Sequence, residues 1–533
     1  MKDANKETTT MPDGFDMFDA CATATTLTLF WDKPERADRG TVYTLFVDGV
    51  PAARVARTFA TIEGLAPDRR YHVELRACFP EGASAIRLAG GSFRTEAVKR
   101  DIDVSRPPYN AVGDGVTMNT RAIQQALDDC DASSRVVIPA GVFLTGALTM
   151  HSESELHVKA GGTLQGSVDP SDYEPRVWSR FEGVERECYA SLVNVGVLDH
   201  TAGCTTHDVR LSGEGTIRGG GARLMRATID RERVRMGGEL DDMADYIAAC
   251  ENEDTVPARV RGRLISICNA ERVELAGLVF EDGSSWNIHC VYSRHIVTHG
   301  ATIRSSGVWN GDGWDPDSSE DCVLFDTTFD TGDDMVAIKS GKNPEGNRIN
   351  RPTRRVRIFS CSALGGHGIA IGSEISGGVE DVRIWDVDLA RSRYGIHIKA
   401  TAKRGGYVRD VSVRDSTVAA VTIHSVSYND DGESGPGQPY FERFRFERLH
   451  ALGRYWGETA DDVYPSTAVL VKGFDKPGHE ARDIVFKDVT LGGVDGGCGR
   501  VELCDCAGVV FDRVDAAANP VADPSRPFKA AVS

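Results

Sequence analysis

The sequence predicts an all-β chain in which a small β-sandwich precedes a right-handed parallel β-helix. Three observations lead there. First, short apolar-x-apolar strands recur: VEL at Val273, IVT at Ile296, VLF at Val323, VRI at Val356, VRI at Val382, VSV at Val411, FRF at Phe444, IVF at Ile484 and VVF at Val509. The first five intervals are 23, 27, 33, 26 and 29 residues, with no long helical pattern between them, as expected for one solenoid coil per repeat. Second, glycine is frequent, 56 of 533 residues, which suits many tight corners between short strands. Third, the N-terminal part alternates apolar and polar residues in strands separated by turn residues, the pattern of a half-buried antiparallel sheet.

Taken in order, residues 1–14 are polar and expected to be loose, and residues 15–97 form the sandwich. Its clearest strands are Thr26–Trp31, Thr41–Gly49, Tyr71–Phe79 and Gly91–Glu96, with a hairpin turn at Asp48-Gly49. The run LAPDRRY, with Leu65, Pro67 and Tyr71, resembles the tyrosine-corner segment of a fibronectin type III domain, and Trp31 falls where that fold carries its core tryptophan. A spacer or positioning role without chemistry of its own is expected for it. Val98–Asn110 links it to the β-helix, assigned to residues 98–533. One amphipathic helix, Thr120–Cys130, opens that region: Ile123, Ala126, Leu127 and Cys130 share a face, and Asn119 stands where it can cap the helix. Such a helix would cover the first coil, whose core would otherwise meet water. The charged stretch at about 219–261 breaks the repeat and reads as a partly helical insertion, a candidate wall of a cleft.

The net charge of −18 speaks against nucleic acid or an anionic membrane as partner, because both need a basic footprint. A polyanionic substrate would need local cations. The 13 cysteines follow neither a disulfide framework nor metal-ligand spacing. The N-terminal residues hold no apolar run that could direct secretion, and no stretch is long enough to span a membrane, so a cytoplasmic protein is expected; the alternative is a secreted or periplasmic protein whose signal has been removed.

Four clusters on successive coils carry the candidate chemistry: WNGDGWDPDSS with Asn310, Asp312 and Asp315; TGDDMVAIKSG with Asp333, Asp334 and Lys339; GGHGIAIGSEISGG with His367; and YGIHIKATAKRGG with His397, Lys399, Lys403 and Arg404. Equivalent positions on adjacent coils stack about 4.8 Å apart. The steps from Asp312 to Asp333, Asp334 to His367 and His367 to Lys399 are each about one coil, so the carboxylates, the histidine and the lysine are expected in one column. In IHIK the two-residue period turns His397 and Lys399 to the same face, which would present two cations. Glycoside cleavage needs one protonated carboxyl and one ionised carboxylate, and crowding like charges raises at least one pKa. Read singly, each cluster is an ordinary turn or strand, and Asp312, Asp315, Asp317, Asp333 and Asp334 could instead bind calcium. Coil-spaced recurrence of all four favours a catalytic groove.

These motifs resemble glycoside hydrolase family 28, the polygalacturonases and their relatives, in which Asn-x-Asp, Gly-Asp-Asp, Gly-His-Gly and Arg-x-Lys follow in this order. The likeness covers roughly Val104 to Asp515, including YNAVGDGVTMNTRAIQQALDDC, VVIPAGVFLTGAL and DDMVAIKSG, and GSEISGG with the preceding sandwich is similar to the bacterial exo-acting branch. The resemblance implies a pectin lyase-like β-helix and inverting hydrolysis of α-galacturonide bonds in pectic oligosaccharides or polysaccharides, with no cofactor and no metal. It implies Asp333 as general acid, Asp312 and Asp334 as the pair that holds and deprotonates water, His367 as support for the protonation of Asp333, and substrate contacts from Asn310, His397 and Lys399. The chain departs from the family at His397, where the pattern has arginine. Histidine cannot grip a carboxylate with two parallel hydrogen bonds, so a neutral neighbouring sugar such as rhamnose becomes a candidate. Two other functions fit the fold: a calcium-dependent pectate lyase, and a non-catalytic carbohydrate-binding β-helix.

Overall fold

The computed structural model describes residues 16–80, 85–428, 431–457, 463–493, 497–516, 521–522 and 531–532. The N-terminal segment expected to be loose, residues 1–14, lies outside the described residues. The chain divides into two compact units, Met1–Asp101 with Ala132–Ser134, and Ile102–Asp131 with Arg135–Ser533.

The first unit is a small antiparallel sandwich. Strands β1 (Phe18–Ala22), β2 (Leu27–Trp31), β3 (Val42–Val47), β4 (Val50–Val55), β5 (Phe59–Ile62), β6 (Arg70–Cys78) and β7 (Ile86–Arg94) form sheets ordered β1-β2-β5 and β4-β3-β6-β7. Asp48 and Gly49 turn the β3–β4 hairpin with φ of 49° and 81°, the left-handed pair that matches strand twist. Leu27, Leu29, Trp31, Tyr43, Leu45, Val73 and Leu75 fill the core, with the Trp31 ring edge-on to Tyr43 at 5.4 Å. The Tyr71 hydroxyl accepts from the Ala66 N–H at 2.7 Å, which pins the preceding loop. Sequence patterning did not single out β1, β4 or β5. In β4, VPAARV, no residue is buried, so no apolar alternation marks it.

The second unit is a parallel β-helix. Its helix, α1 (Thr120–Asp128), ends two residues before the expected Cys130 and buries Ile123, Ala126 and Leu127. Asn119 does not cap it: the Asn119 Oδ1 accepts from the Val112 N–H at 2.7 Å, and Nδ2 donates to the Thr117 carbonyl at 2.7 Å. Asn119 is buried, so its amide serves the enclosed polar backbone around it rather than the exposed helix end.

Each coil contributes one strand to a 12-stranded parallel sheet and two short strands to a longer parallel sheet. One coil runs Ile288–Val291, Arg294–His299, Thr302–Arg304, and the next Trp314–Asp317, Glu320–Phe325, Thr328–Asp330. The register stacks Val273, Ile296, Cys322, Val356, Val382 and Val411. The repeat read as VLF at Val323 is therefore one residue out of phase. Cys322 and Leu324 occupy the core positions, because a thiol packs there as a small apolar group. Phe325, Phe359 and Trp385 stack across three coils at 5.0 and 4.5 Å, close to the spacing between strands.

Two segments leave the coil. Residues 221–258 carry four helices, Gly221–Met236, Glu239–Asp242, Ala244–Ala249 and Thr255–Ala258. The antiparallel hairpin Val177–Phe181/Val184–Cys188, unforeseen from the sequence, folds over the outward face of the 12-stranded sheet. Among the described residues no helix is long and apolar enough to cross a membrane.

Candidate active site

Alternation along the 12-stranded sheet builds the site. Trp314, Val336, Ile369 and Ile396 stack inward in register, as do Ile338, Ile371 and Ile398. The intervening Asp315, His397 and Lys399 therefore turn to the outer face. Two residues before Trp314, Val336 and Ile369 stand Asp312, Asp334 and His367, in line at the corner that opens each strand. Backbone bonds fix that corner: the Gly313 N–H donates to the Asp334 carbonyl at 2.9 Å, and the His367 N–H to the Asp333 carbonyl at 2.9 Å. Asp312, Asp334 and His367 thus form a column, Asp333 lies one residue aside, and Lys399 reaches it from five residues further along its strand than the aligned Tyr394.

The carboxylates differ sharply in surroundings. Asp333 keeps 26% of its side chain exposed, against 4% for Asp312 and 5% for Asp334. The His367 Nδ1 lies 2.9 Å from the Asp333 Oδ1 and 3.7 Å from the Asp334 Oδ1. The Lys339 Nζ is 3.1 Å from the Asp312 Oδ2, and the Lys399 Nζ 3.1 Å from the Asp334 Oδ2. Lys339 also rests 4.3 Å from the centroid of the Trp286 ring.

These contacts set the charges. Burial, joined by the charges of Asp333 and Asp334, pushes the Asp312 carboxyl up to about 7 although Lys339 opposes it. Burial next to Asp312 drives Asp315 well above the usual carboxylate range, and neither Asp315 oxygen has a hydrogen-bond partner among the described residues. Burial would raise Asp334 too, but the Lys399 ammonium and His367 outweigh it and hold that carboxyl well below its usual value. His367 is carried up to about 9, since bonds to Asp333 and Asp334 overcome its desolvation. At neutral pH the column therefore holds an ionised Asp334, a protonated His367 and an Asp312 near its midpoint. The elevated carboxyls demanded by like-charge crowding are Asp312 and Asp315.

Three expected substrate contacts have other neighbours. His397 is not a cation facing the groove. It is 6% exposed, bonds the His424 Nε2 through its own Nε2 at 2.8 Å, and lies beneath Tyr394 at 4.6 Å between ring centroids. Burial and the Lys399 charge push its pKa down to about 2, so it stays neutral. Lys399, expected to meet a uronate, is committed to Asp334. Asn310, at φ 53°, accepts from the Arg261 Nη2 at 2.6 Å through its Oδ1. Lys403 and Arg404 leave the cluster as well: Lys403 donates to the Gly432 carbonyl at 2.9 Å, and Arg404 is buried against Asp431 and Asn343.

Several participants escaped the sequence. Arg180, on the hairpin, forms a fully buried ion pair with Asp317 at 2.8 Å. Arg261 and Arg263 follow the helical insertion and flank the Phe181 ring, which stacks on Trp286 at 5.3 Å. A lone arginine carries no motif, and only the fold brings these over the sheet. His424 did leave a signal: TIH repeats the apolar-histidine pattern of IHIK one coil later.

Comparison with known proteins gives the same picture. A model of the glycosyl hydrolases family 28 matches residues 130–435, more than half of the chain. An exo-poly-α-D-galacturonosidase of Dickeya chrysanthemi is 26% identical over 71% of this chain and 65% of its own length. A probable polygalacturonase of Vitis vinifera is 32% identical over 58% and 59%. The matched region thus spans about three-fifths of those relatives. A family 28 exopolygalacturonase structure from Yersinia enterocolitica superposes with a TM-score of 0.75 at 20% identity, covering 97% of this chain and 98% of that one. With the motif order, the stacked corner and the family match in agreement, the chain belongs to the glycosyl hydrolases family 28.

Proposed function

We propose that this protein is an inverting, exo-acting hydrolase of α-galacturonide bonds in pectic oligosaccharides. The observation that carries the reading is the division of labour among the three carboxylates. Asp333 is open to the groove and joined to His367, while Asp312 and Asp334 sit behind it, each held by its own lysine. In this scheme Asp333 gives its proton to the glycosidic oxygen as the bond from the anomeric carbon to that oxygen breaks. A water held by Asp312 and Asp334 attacks the anomeric carbon from the other face and loses its proton to that pair. Between turnovers the pair releases the proton of the water to solvent and Asp333 takes one back, while the His367 cation, 2.9 Å away, keeps its own proton and holds the Asp333 carboxyl in place. The ionised Asp334 orients the water, and the near-neutral midpoint of Asp312 suits it to take the proton.

Exo action is supported by the hairpin at 177–188, stapled across the outer face of the sheet from Tyr292 and Asp317 to Lys342 and Glu345. Arg180 grips Asp317, Glu182 accepts from the Arg259 Nε at 2.7 Å, and the Tyr292 hydroxyl donates to Glu185 at 2.6 Å. A groove closed there admits a chain end rather than a chain interior. The sandwich then serves as a fibronectin type III-like positioning module. A calcium-dependent lyase fits less well. Asp333, Asp334 and His367 come together closely enough to hold a metal ion, but Lys399 and the protonated His367 already neutralise that group, and Arg180 does the same for Asp317.

Chromatography of products from defined pectic oligomers tests the proposal. Release of single galacturonate units from one chain end, unaffected by EDTA and without an ultraviolet-absorbing unsaturated product, is expected. An unsaturated product or activity lost to EDTA refutes it.

A further inference from the structure

A polyuronate is recognised by cations that the protein has not already neutralised. In a chain of net charge −18 these are informative. Around the cleft Lys339, Lys399 and Arg404 each have a carboxylate. Arg391 and Arg393, on the corner just before His397, differ: both are exposed, and neither has an ion-pair or hydrogen-bond partner for its guanidinium among the described residues.

The loop that carries them is rigidly set beside the catalytic corner. The buried Ser392 hydroxyl donates to the Leu389 carbonyl at 2.7 Å and accepts from the Gly395 N–H at 3.0 Å. The Arg393 N–H donates to the Gly366 carbonyl, and the Tyr394 N–H to the His367 carbonyl, both at 2.9 Å. The Tyr394 ring stands edge-on to His367 at 5.3 Å and covers His397. The Arg393 guanidinium lies 5.4 Å from the centroid of that same ring. Arg391 lies 5.0 Å from the centroid of Trp456, whose indole N–H is anchored on the Ala390 carbonyl at 2.7 Å. A guanidinium steadied on an aromatic face loses little freedom when it forks onto a carboxylate, and the ring beside it offers a platform for a sugar.

We propose that Arg393, seconded by Arg391 beside Trp456, recognises the carboxylate of the uronate on the leaving-group side of the scissile bond. The inference rests on the galacturonide-hydrolase reading and narrows its substrate to chains with uronate on both sides of the bond. The arginine missing at position 397 is replaced in function four residues earlier in the chain. His397, buried and neutral, supports the Tyr394 ring from below. The neutral neighbouring sugar suggested by His397 alone is then not required.

The test compares trigalacturonate with the same trimer carrying a carboxyl-reduced, neutral sugar on the leaving-group side. Arg393→Ala should raise KM for trigalacturonate by about 10- to 100-fold, as expected for one charge-assisted contact, with kcat changed less than about threefold. The neutral substrate should be cleaved with an unaltered KM, and Arg393→Lys should recover part of the loss. Arg393→Gln keeps the length of the side chain and gives a second reading should the alanine variant fold poorly. A KM within about twofold of the native enzyme, or equal losses on both substrates as a merely structural role would give, overturns the proposal. If the native protein cleaves neither substrate, the hydrolase reading fails by itself, and calorimetric titration with trigalacturonate then decides the subsite. Binding weakened tenfold or more by Arg393→Ala upholds it; unchanged affinity, or no binding by the native protein, overturns it.

Discussion

Replacing Lys399 by methionine distinguishes two roles for the lysine that the family pattern places next to a substrate carboxylate. In the structure its ammonium lies 3.1 Å from Asp334, and its charge is the largest influence keeping that buried carboxyl ionised. Asp312 shows what comparable burial does with weaker compensation: it sits at about 7 even with Lys339 beside it. Without Lys399, Asp334 should rise towards that range, with His367 as its remaining cation. At pH 6 a group with a pKa of about 7 is only about one-tenth ionised, so the water-orienting carboxylate, and kcat with it, should fall by up to about tenfold. Leaving a buried carboxylate without its partner would cost about 3–5 kcal/mol, and protonation is the cheaper outcome. The kcat of Lys399→Met should therefore recover as pH is raised from 6 to 8, whereas KM for an oligogalacturonide changes little. Steady-state kinetics across pH 5–9, with circular dichroism to verify the fold, measures both quantities. A KM raised more than about tenfold with kcat at pH 6 within about twofold of native would falsify the reasoning and return Lys399 to the substrate.

Asp333→Asn should cut kcat by about 10²–10⁴ through loss of the proton donor, and urea unfolding at pH 6 should show it losing part of the stabilisation that His367 draws from its bond to Asp333. His397→Arg should not create a carboxylate clamp. It buries a guanidinium beside Lys399 where a neutral ring stood, and urea titration should show a loss of about 3 kcal/mol or more. The pH dependence of folding has a definite sign. His367, raised from 6.5 to about 9, contributes about 3 kcal/mol that is fully present below pH 6.5 and is lost as pH rises through 9. Denaturant unfolding at pH 6 and pH 10 should register that loss in the native protein and not in His367→Gln; equal slopes in the two proteins would contradict it.

Sequence alone determined the solenoid and brought the candidate residues to one corner of it. A period of about one coil, a two-residue alternation in IHIK and the glycine-flanked aspartates are local properties, and parallel stacking turns them directly into a column of Asp312, Asp334 and His367. Tertiary structure decided what each group is bonded to and how charged it is. Alternation tells that His397 points outward, but the Tyr394 ring and His424 make that outward position a buried one. Nothing near residue 317 announces that Arg180, 137 residues earlier, will fold over the sheet and neutralise it. Lys399 faces the groove by its spacing and is nevertheless taken by Asp334 from two coils away. The physical reason is that burial and ion pairing depend on everything within a few ångströms in space. In the low dielectric of the interior those neighbours, rather than the residue's own place in the chain, fix its protonation.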